Sequence, residues 1–467
     1  MKPILPLLRS STSLVGQLVM LIALVAFVTG CTGLKQYRTN YTACDTALSA
    51  ANCQSNTIEV STNYVLGLVE FDDQGWLWDR KQMNAVLDRF SVEDSANGLL
   101  MVVFVHGWKH NASFDDDNVR MFRTNLTELA EMERQLGRDS GVKPRKVAGV
   151  YVGWRGLSSK ALLLRQLTFW DRKNTAHEVG RGGVTELYSR LEDLRNNSRV
   201  LHRGESERRP TQLIIVGHSF GGALTYSALA PLLAERAVQT SAANNAVGPV
   251  RGFGDLVVLV NPAFEAARFE VLYSVATNQT WYPTNQSVNL AIFTSKTDDA
   301  TKVAFPLGRW VSTFWEKHRD KDQKKANRTA IDHYAPFITY DLIPSTNQTL
   351  TATSPKTPKP KRSPTVRSKN YNGQQTITNS VSQVKSLKRQ IQRHRENDVR
   401  ELPDRSYQFS NSKLVPRDSH IPRMPVMNVS VAKEIIPNHG DIDTQAFLTF
   451  LREFVGAFTA DESASKR

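Results

Sequence analysis

The chain has 467 residues, of which 40% are apolar and 22% charged, and it carries a net charge of +14 with a sequence pI near 9.6. A chain this long can bury a large core as one α/β domain with insertions or as two or three smaller domains, and an apolar content ordinary for a soluble protein sets aside a wholly disordered class. The first residues have a signal-peptide layout: Lys2 and Arg9, an apolar run over residues 14–28, then the small residues Thr29 and Gly30 before Cys31. The run is too short for a comfortable membrane span.

The small residues ahead of Cys31 resemble the lipobox of bacterial lipoproteins, a resemblance confined to these few positions. It implies that residues 1–30 are removed and that Cys31 is lipid-modified. Several acyl chains would make a stable anchor where one would be marginal. Thr32 in place of Asp implies the outer membrane within a bacterial cell envelope. Three cysteines minus Cys31 leave Cys44 and Cys53, an even pair in a disulfide-permissive compartment, expected to be joined.

Past this segment, residues 64–71 (Tyr-Val-Leu-Gly-Leu-Val-Glu-Phe) read as an early strand, followed by a turn at 72–75. A helix should then follow, because Met83, Val86, Leu87 and Phe90 share one helical face. Leu99–Val105 is a continuous apolar strand ending in His106-Gly107-Trp108, and Lys109, His110 and Asn111 continue its loop. Residues 147–154 form another strand, and the helical patterns over 162–194 would cover the sheet. The segment Gln-Leu-Ile-Ile-Val-Gly-His-Ser-Phe-Gly-Gly at 212–222 runs a buried strand into a glycine-flanked serine, and Ala223, Leu224, Ala228, Leu229 and Leu232 then recur at helical spacing. Strands at 255–260 and 288–295 come next. Alternating strands and helices predict a mostly parallel sheet covered by helices on both faces.

A serine at a tight strand-to-helix bend needs small neighbours two residues either side, here Gly217 and Gly221. The bend aims the Phe220 N–H into the site, where a helix N-terminus favours an oxyanion. The strand, the Gly217-x-Ser219-x-Gly221 turn and the helix together resemble the nucleophile elbow of the α/β-hydrolase superfamily. The resemblance covers about residues 64–344 and 403–458. It implies a second oxyanion donor in the Gly107-Trp108 loop, assigned to the Trp108 N–H. It also implies a triad acid after a late strand, which is Asp298 by position, with Asp299 and Glu265 as rivals. The base should lie between the last strand, at 426–435, and the closing helix, at 444–458, where His439 stands. The order Ser219, Asp298, His439 is that of the superfamily. His218 would point away from the nucleophile, and His333 and His420 sit in irregular regions.

Aromatics at 305–315, including Trp310, Phe314 and Trp315, could overhang the site or belong to the core. Residues 345–402 are rich in Thr, Ser, Pro, Asn, Gln, Lys and Arg and read as a basic disordered insertion before the last strand. Over 351–400, twelve Lys and Arg oppose Glu396 and Asp398, most of the chain's excess charge. Such a run suits an anionic lipid surface or nucleic acid, or is simply solvated, and without an aromatic platform nucleic acid is disfavoured. Residues 403–460 would complete the domain and 461–467 form a tail.

The reading is a membrane-anchored serine hydrolase acting on carboxylic esters, with acyl lipids as candidate substrates. It uses no cofactor and no metal, since no phosphate loop, zinc spacing or dinucleotide fingerprint is apparent. Thioesterase, peptidase and acyltransferase chemistry use the same triad. A surface-anchored binding or envelope-organising protein with an inactive hydrolase domain is the alternative. Oligomeric state is left open.

Overall fold

A computed structural model describes residues 33–46, 53–156, 169–242, 248–279, 282–298, 301, 305–306, 309, 316–345, 373–396, 405–418 and 421–459. The signal segment, Cys31, Asp299, Trp310, Phe314, Trp315, His420 and the tail lie outside these residues. Twelve strands form one sheet: β1 Asn40–Asp45, β2 Asn56–Val60, β3 Tyr64–Glu70, β4 Leu99–Val105, β5 Lys146–Gly153, β6 Gln212–His218, β7 Leu256–Val260, β8 Leu290–Ser295, β9 Tyr340–Pro344, β10 Tyr407–Gln408, β11 Ser412–Pro416 and β12 Val426–Val431. Their spatial order is β1-β2-β3-β5-β4-β6-β7-β8-β12-β9-β11-β10. From β3 through β9 every pairing is parallel, and antiparallel pairings occur only toward the two ends, at β2–β3, β9–β11 and β10–β11.

The central strands are apolar throughout because helices cover both faces. The two-residue repeat of a strand divides their side chains between two cores. Met101, Val103 and Val105 of β4 and Leu213 and Ile215 of β6 enter one core. That side carries α1 Arg80–Ala96, α3 Phe169–Arg181, α4 Gly183–Leu201, α5 Phe220–Ala242 and α6 Ala266–Asn278. Leu100, Val102 and Phe104 of β4 and Ile214 of β6 face the other core, under α2 Asp117–Ser140 and the C-terminal helix α9 Gln445–Phe458. Two further helices, α7 Lys321–Arg328 and α8 Gly373–Glu396, complete the described set. In α2, Val119, Phe122, Leu126 and Ala130 recur every three or four residues on the buried face. Its first turn is capped by the Asp116 carboxylate and its end by Gly141 in a left-handed conformation at φ 66°. On α9, Phe447, Phe450 and Phe454 converge edge-on upon Phe293 of β8, and Thr444 caps the helix.

Three expectations change. The stretch read as a disordered insertion contains α8, which buries Val381, Val384, Leu387 and Ile391 and packs against α2 and α9. Averaged over the whole stretch the composition is polar and basic, which masks an apolar stripe at spacings of three and four. Residues 403–460 supply more than a last strand and helix, because β10 and β11 extend the sheet through β9. Several strands are shorter than expected: Asp255 lies before β7, where its carboxylate receives Arg195, Arg199 and the Leu213 N–H. Of the 305–315 aromatics, Phe305 is a buried core residue.

The Cys44–Cys53 pair is bonded, as the cysteine count predicts. It closes the segment around β1, where Arg38 is wholly buried and ion-paired to Glu59 at 3.1 Å. Glu59 also binds Arg123 of α2 at 2.7 Å. A buried charge needs such company.

Candidate active site

The site forms at the carboxyl ends of the central strands. β6 is paired along its length to β4 and β7, so Ser219, the next residue, is fixed on both sides. Its φ of 57° is left-handed, a conformation that costs a non-glycine residue about 1–2 kcal/mol. The surrounding backbone holds it there. The Ser219 N–H donates to the Val260 carbonyl at 3.0 Å, and its carbonyl accepts from the Ala223 and Ala263 N–H groups, each at 3.1 Å. The motif glycines answer to close approach. A β-carbon on Gly221 would stand 2.2 Å from the Val105 carbonyl, and one on Gly217 would stand 2.7 Å from the Gly221 carbonyl. One on Gly107 would stand 2.8 Å from the Ser219 β-carbon, so the loop carrying Trp108 lies directly against the serine. Phe220 opens α5 and is buried.

Three side chains meet at this bend. The Ser219 Oγ lies 2.7 Å from His439 Nε2, and His439 Nδ1 lies 2.6 Å from the Asp298 carboxylate. A carboxylate can only accept from Nδ1, so the proton is assigned to Nδ1 and Nε2 is left to accept from the serine hydroxyl. Asp298 is fully buried. Burial alone would raise its pKa, but the hydrogen bond and charge of His439 and the hydrogen bonds from Thr301 prevail and hold it below the ordinary carboxylate value. The Thr301 N–H donates to Asp298 at 3.2 Å, and the Thr301 hydroxyl lies 3.1 Å from His333 Nε2. Glu265, the rival acid, is engaged elsewhere: its carboxylate takes Lys173 at 2.6 Å, Arg268 at 2.7 Å and Arg309 at 3.2 Å.

The loop carrying His439 is secured by its carbonyls, a feature that sequence reasoning missed. Ser295 donates to the Ile436 carbonyl and Thr297 to the Pro437 carbonyl, each at 2.6 Å. The His439 carbonyl accepts from Asn261 Nδ2 at 2.8 Å and His218 Nε2 at 3.0 Å. Contrary to expectation, His218 therefore does not point away from the site but holds the His439 backbone in place. Asn261 has a left-handed φ of 45° at the end of β7, and its other amide atom accepts from the Ser295 N–H at 2.9 Å. Asn261-Pro262 is legible in sequence as a strand end, yet nothing local signals a partner 178 positions away.

The loop after β4 has its own support. The His106 ring is buried between Tyr151 and Trp154, donates from Nδ1 to the Gly107 carbonyl at 2.9 Å and accepts the Trp154 N–H at Nε2 at 3.2 Å. His110, on the same loop, binds Asp116 at 3.1 Å. The Lys109 N–H donates to the Gly156 carbonyl at 3.0 Å.

Burial lowers the pKa of His106 to about 4, and burial followed by the neighbouring His439 lowers that of His218 to about 3. Both rings are neutral in the folded protein at pH 7 and must charge on unfolding in mild acid. Below the ordinary histidine value of 6.5 the unfolded chain binds more protons. Stability should therefore fall as pH drops from about 6.5 toward 4, by up to ~1.4 kcal/mol per pH unit for each ring. Urea midpoints between pH 7 and 4.5 read this slope, and His106→Gln should make it shallower. An identical slope in the variant would contradict it.

Among the described residues, no group of three or more His, Cys, Asp or Glu is placed to hold a metal ion. No family model matches this chain, and no curated protein or solved structure matches it either.

Proposed function

We propose that the protein is a serine hydrolase with an α/β-hydrolase fold, anchored to a bacterial membrane through Cys31, that cleaves carboxylic esters by way of an acyl-enzyme. The observation that carries this reading is the continuous hydrogen-bonded path from Ser219 Oγ through both nitrogens of His439 to Asp298. His439 takes the serine proton as Oγ attacks the acyl carbonyl, and Asp298 stabilises the imidazolium that forms. The Trp108 and Phe220 amides hold the oxyanion. His439 then returns the proton to the leaving alkoxide, and water, deprotonated by the same imidazole, releases the acid. Only Nε2 faces the hydroxyl, so one nitrogen serves both proton transfers.

Esters suit this machinery because an alkoxide leaves after one proton transfer. A panel of p-nitrophenyl esters of increasing acyl length, run on wild type and Ser219→Ala, tests the proposal. Turnover that depends on Ser219 and varies with chain length supports it. Absence of Ser219-dependent turnover across the panel would favour a binding protein on the same scaffold.

A further inference from the structure

The tether that the lipid reading assigns to this chain enters the fold beside the candidate site. Ahead of β1, Tyr37 and Arg38 are locked in place. Their N–H groups donate to the Glu70 carboxylate at 2.9 Å and 2.8 Å. Glu70 is the last residue of β3, so the docking point lies at the carboxyl edge of the sheet, the edge where Ser219 follows β6. The Arg38 side chain then crosses to the Ala112 carbonyl at 2.8 Å, in the loop that begins at Gly107.

Next to this point, residues 72–76 project past the end of β3. Asp72 accepts the Trp76 N–H at 2.8 Å, and Asp73 pairs with Arg155 just beyond β5. A β-carbon on the following residue, Gly156, would lie 2.8 Å from the Gly107 carbonyl, so the projection connects directly to the loop against Ser219. On its returning arm, where the Trp76 carbonyl accepts the Asp72 N–H at 2.9 Å, Trp76 is 75% exposed, and Leu34, on the incoming segment, is 48% exposed. An indole held outward on an ordered loop is the side chain most suited to a membrane–water interface.

We propose that the carboxyl edge of the sheet, with Trp76 and Leu34 foremost, is the face laid against the lipid bilayer, which turns the mouth of the Ser219 site toward the membrane. This inference rests on the lipidation of Cys31 and not on hydrolysis. Cys31 and Tyr37 are six positions apart, so the docking point lies within about 22 Å of the anchored residue. Three strand spacings, about 14 Å, separate β3 from β6. The site therefore sits over the anchor's own patch of bilayer, which favours an ester resident in that surface over one diffusing from solution.

The competing surface is at the opposite edge, where Lys385, Lys388 and Arg452, with Arg145 and Arg209 paired to Glu133, surround a cavity of about 270 Å³ at the starts of β4 and β6. That surface would hold the protein by charge, against anionic lipid and in a salt-sensitive way.

The test uses the full-length protein purified from membranes and reconstituted into phosphatidylcholine vesicles, either plain or brominated in the acyl chains. Flotation with plain vesicles and bromine quenching of tryptophan fluorescence are expected, with Trp76→Phe losing more than half of the quenching. Ser219→Ala should quench like wild type whether or not the hydrolase proposal holds, which separates the two. Failure to float, absence of quenching, or equal quenching in Trp76→Phe would overturn the proposal. So would binding that requires phosphatidylglycerol and dissolves in salt, because it would place the basic edge on the bilayer.

Discussion

Replacing His439 with alanine should lower kcat by about 10⁶-fold with little change in KM, the scale seen when the base of a Ser-His-Asp unit is removed. Among the described residues the neighbouring imidazole, His218, spends its Nε2 on the His439 carbonyl and is held neutral by burial, so it is not placed to take over. The fold itself should survive the change. The His439 side chain is 25% exposed, and the bonds that secure its loop go to backbone carbonyls that the alanine retains. A single cooperative melt, at a temperature lowered because the buried Asp298 carboxylate loses its partner, with activity at background is the expected pair of results. Activity within tenfold of wild type would remove His439 from the chemistry.

Asp298→Asn should cost about 10⁴-fold in kcat, the effect of presenting the imidazole with an amide in place of a carboxylate. An asparagine in that position can offer its N–H to Nδ1. That would move the imidazole proton to Nε2, so that Nε2 donates to Ser219 Oγ when it should accept. The wild-type carboxylate also contributes stability, because its folded pKa is depressed. The sign is that of any such carboxyl: the contribution is present above the unfolded pKa and is lost as pH falls through the folded one. Wild type and variant should therefore differ in urea midpoint at pH 7 and converge in acid.

Glu265→Gln provides the contrast between two buried acids. Glu265 balances Lys173, whose own pKa burial lowers to about 8 despite this partner. Breaking that pair should cost about 3–5 kcal/mol of stability and leave kcat of the folded fraction within tenfold. The reverse pattern, with Glu265 controlling kcat and Asp298 only stability, would reassign the acid.

What the sequence disclosed followed from local pattern. Leu99–Val105 reads as a buried strand because it is continuously apolar, and it is one, bound for bound. The turn at Ser219 was legible because close backbone approach permits only glycine at 217 and 221. Elements whose signal is neither apolar nor periodic were not legible. β1 (Asn-Tyr-Thr-Ala-Cys-Asp) is an exposed edge strand without alternation, identified only by its pairing to β2. In α8 the apolar stripe is periodic, but its four residues are outweighed by the polar and basic composition of the stretch around them. Position relative to strands and helices pointed to Asp298 and His439, but the grip of Asn261 and His218 on the His439 carbonyl depends on three separate strand ends meeting, which no single stretch encodes.

The most direct measurement is the site of a fluorophosphonate adduct on the full-length protein. The probe reacts only with a hydroxyl whose proton is being removed and whose developing oxyanion is held. Mass spectrometry should find one adduct, on the peptide containing Ser219, absent from Ser219→Ala and reduced at least a thousandfold in rate in His439→Ala. An unlabelled wild-type protein, or an adduct that persists in Ser219→Ala, would contradict the account.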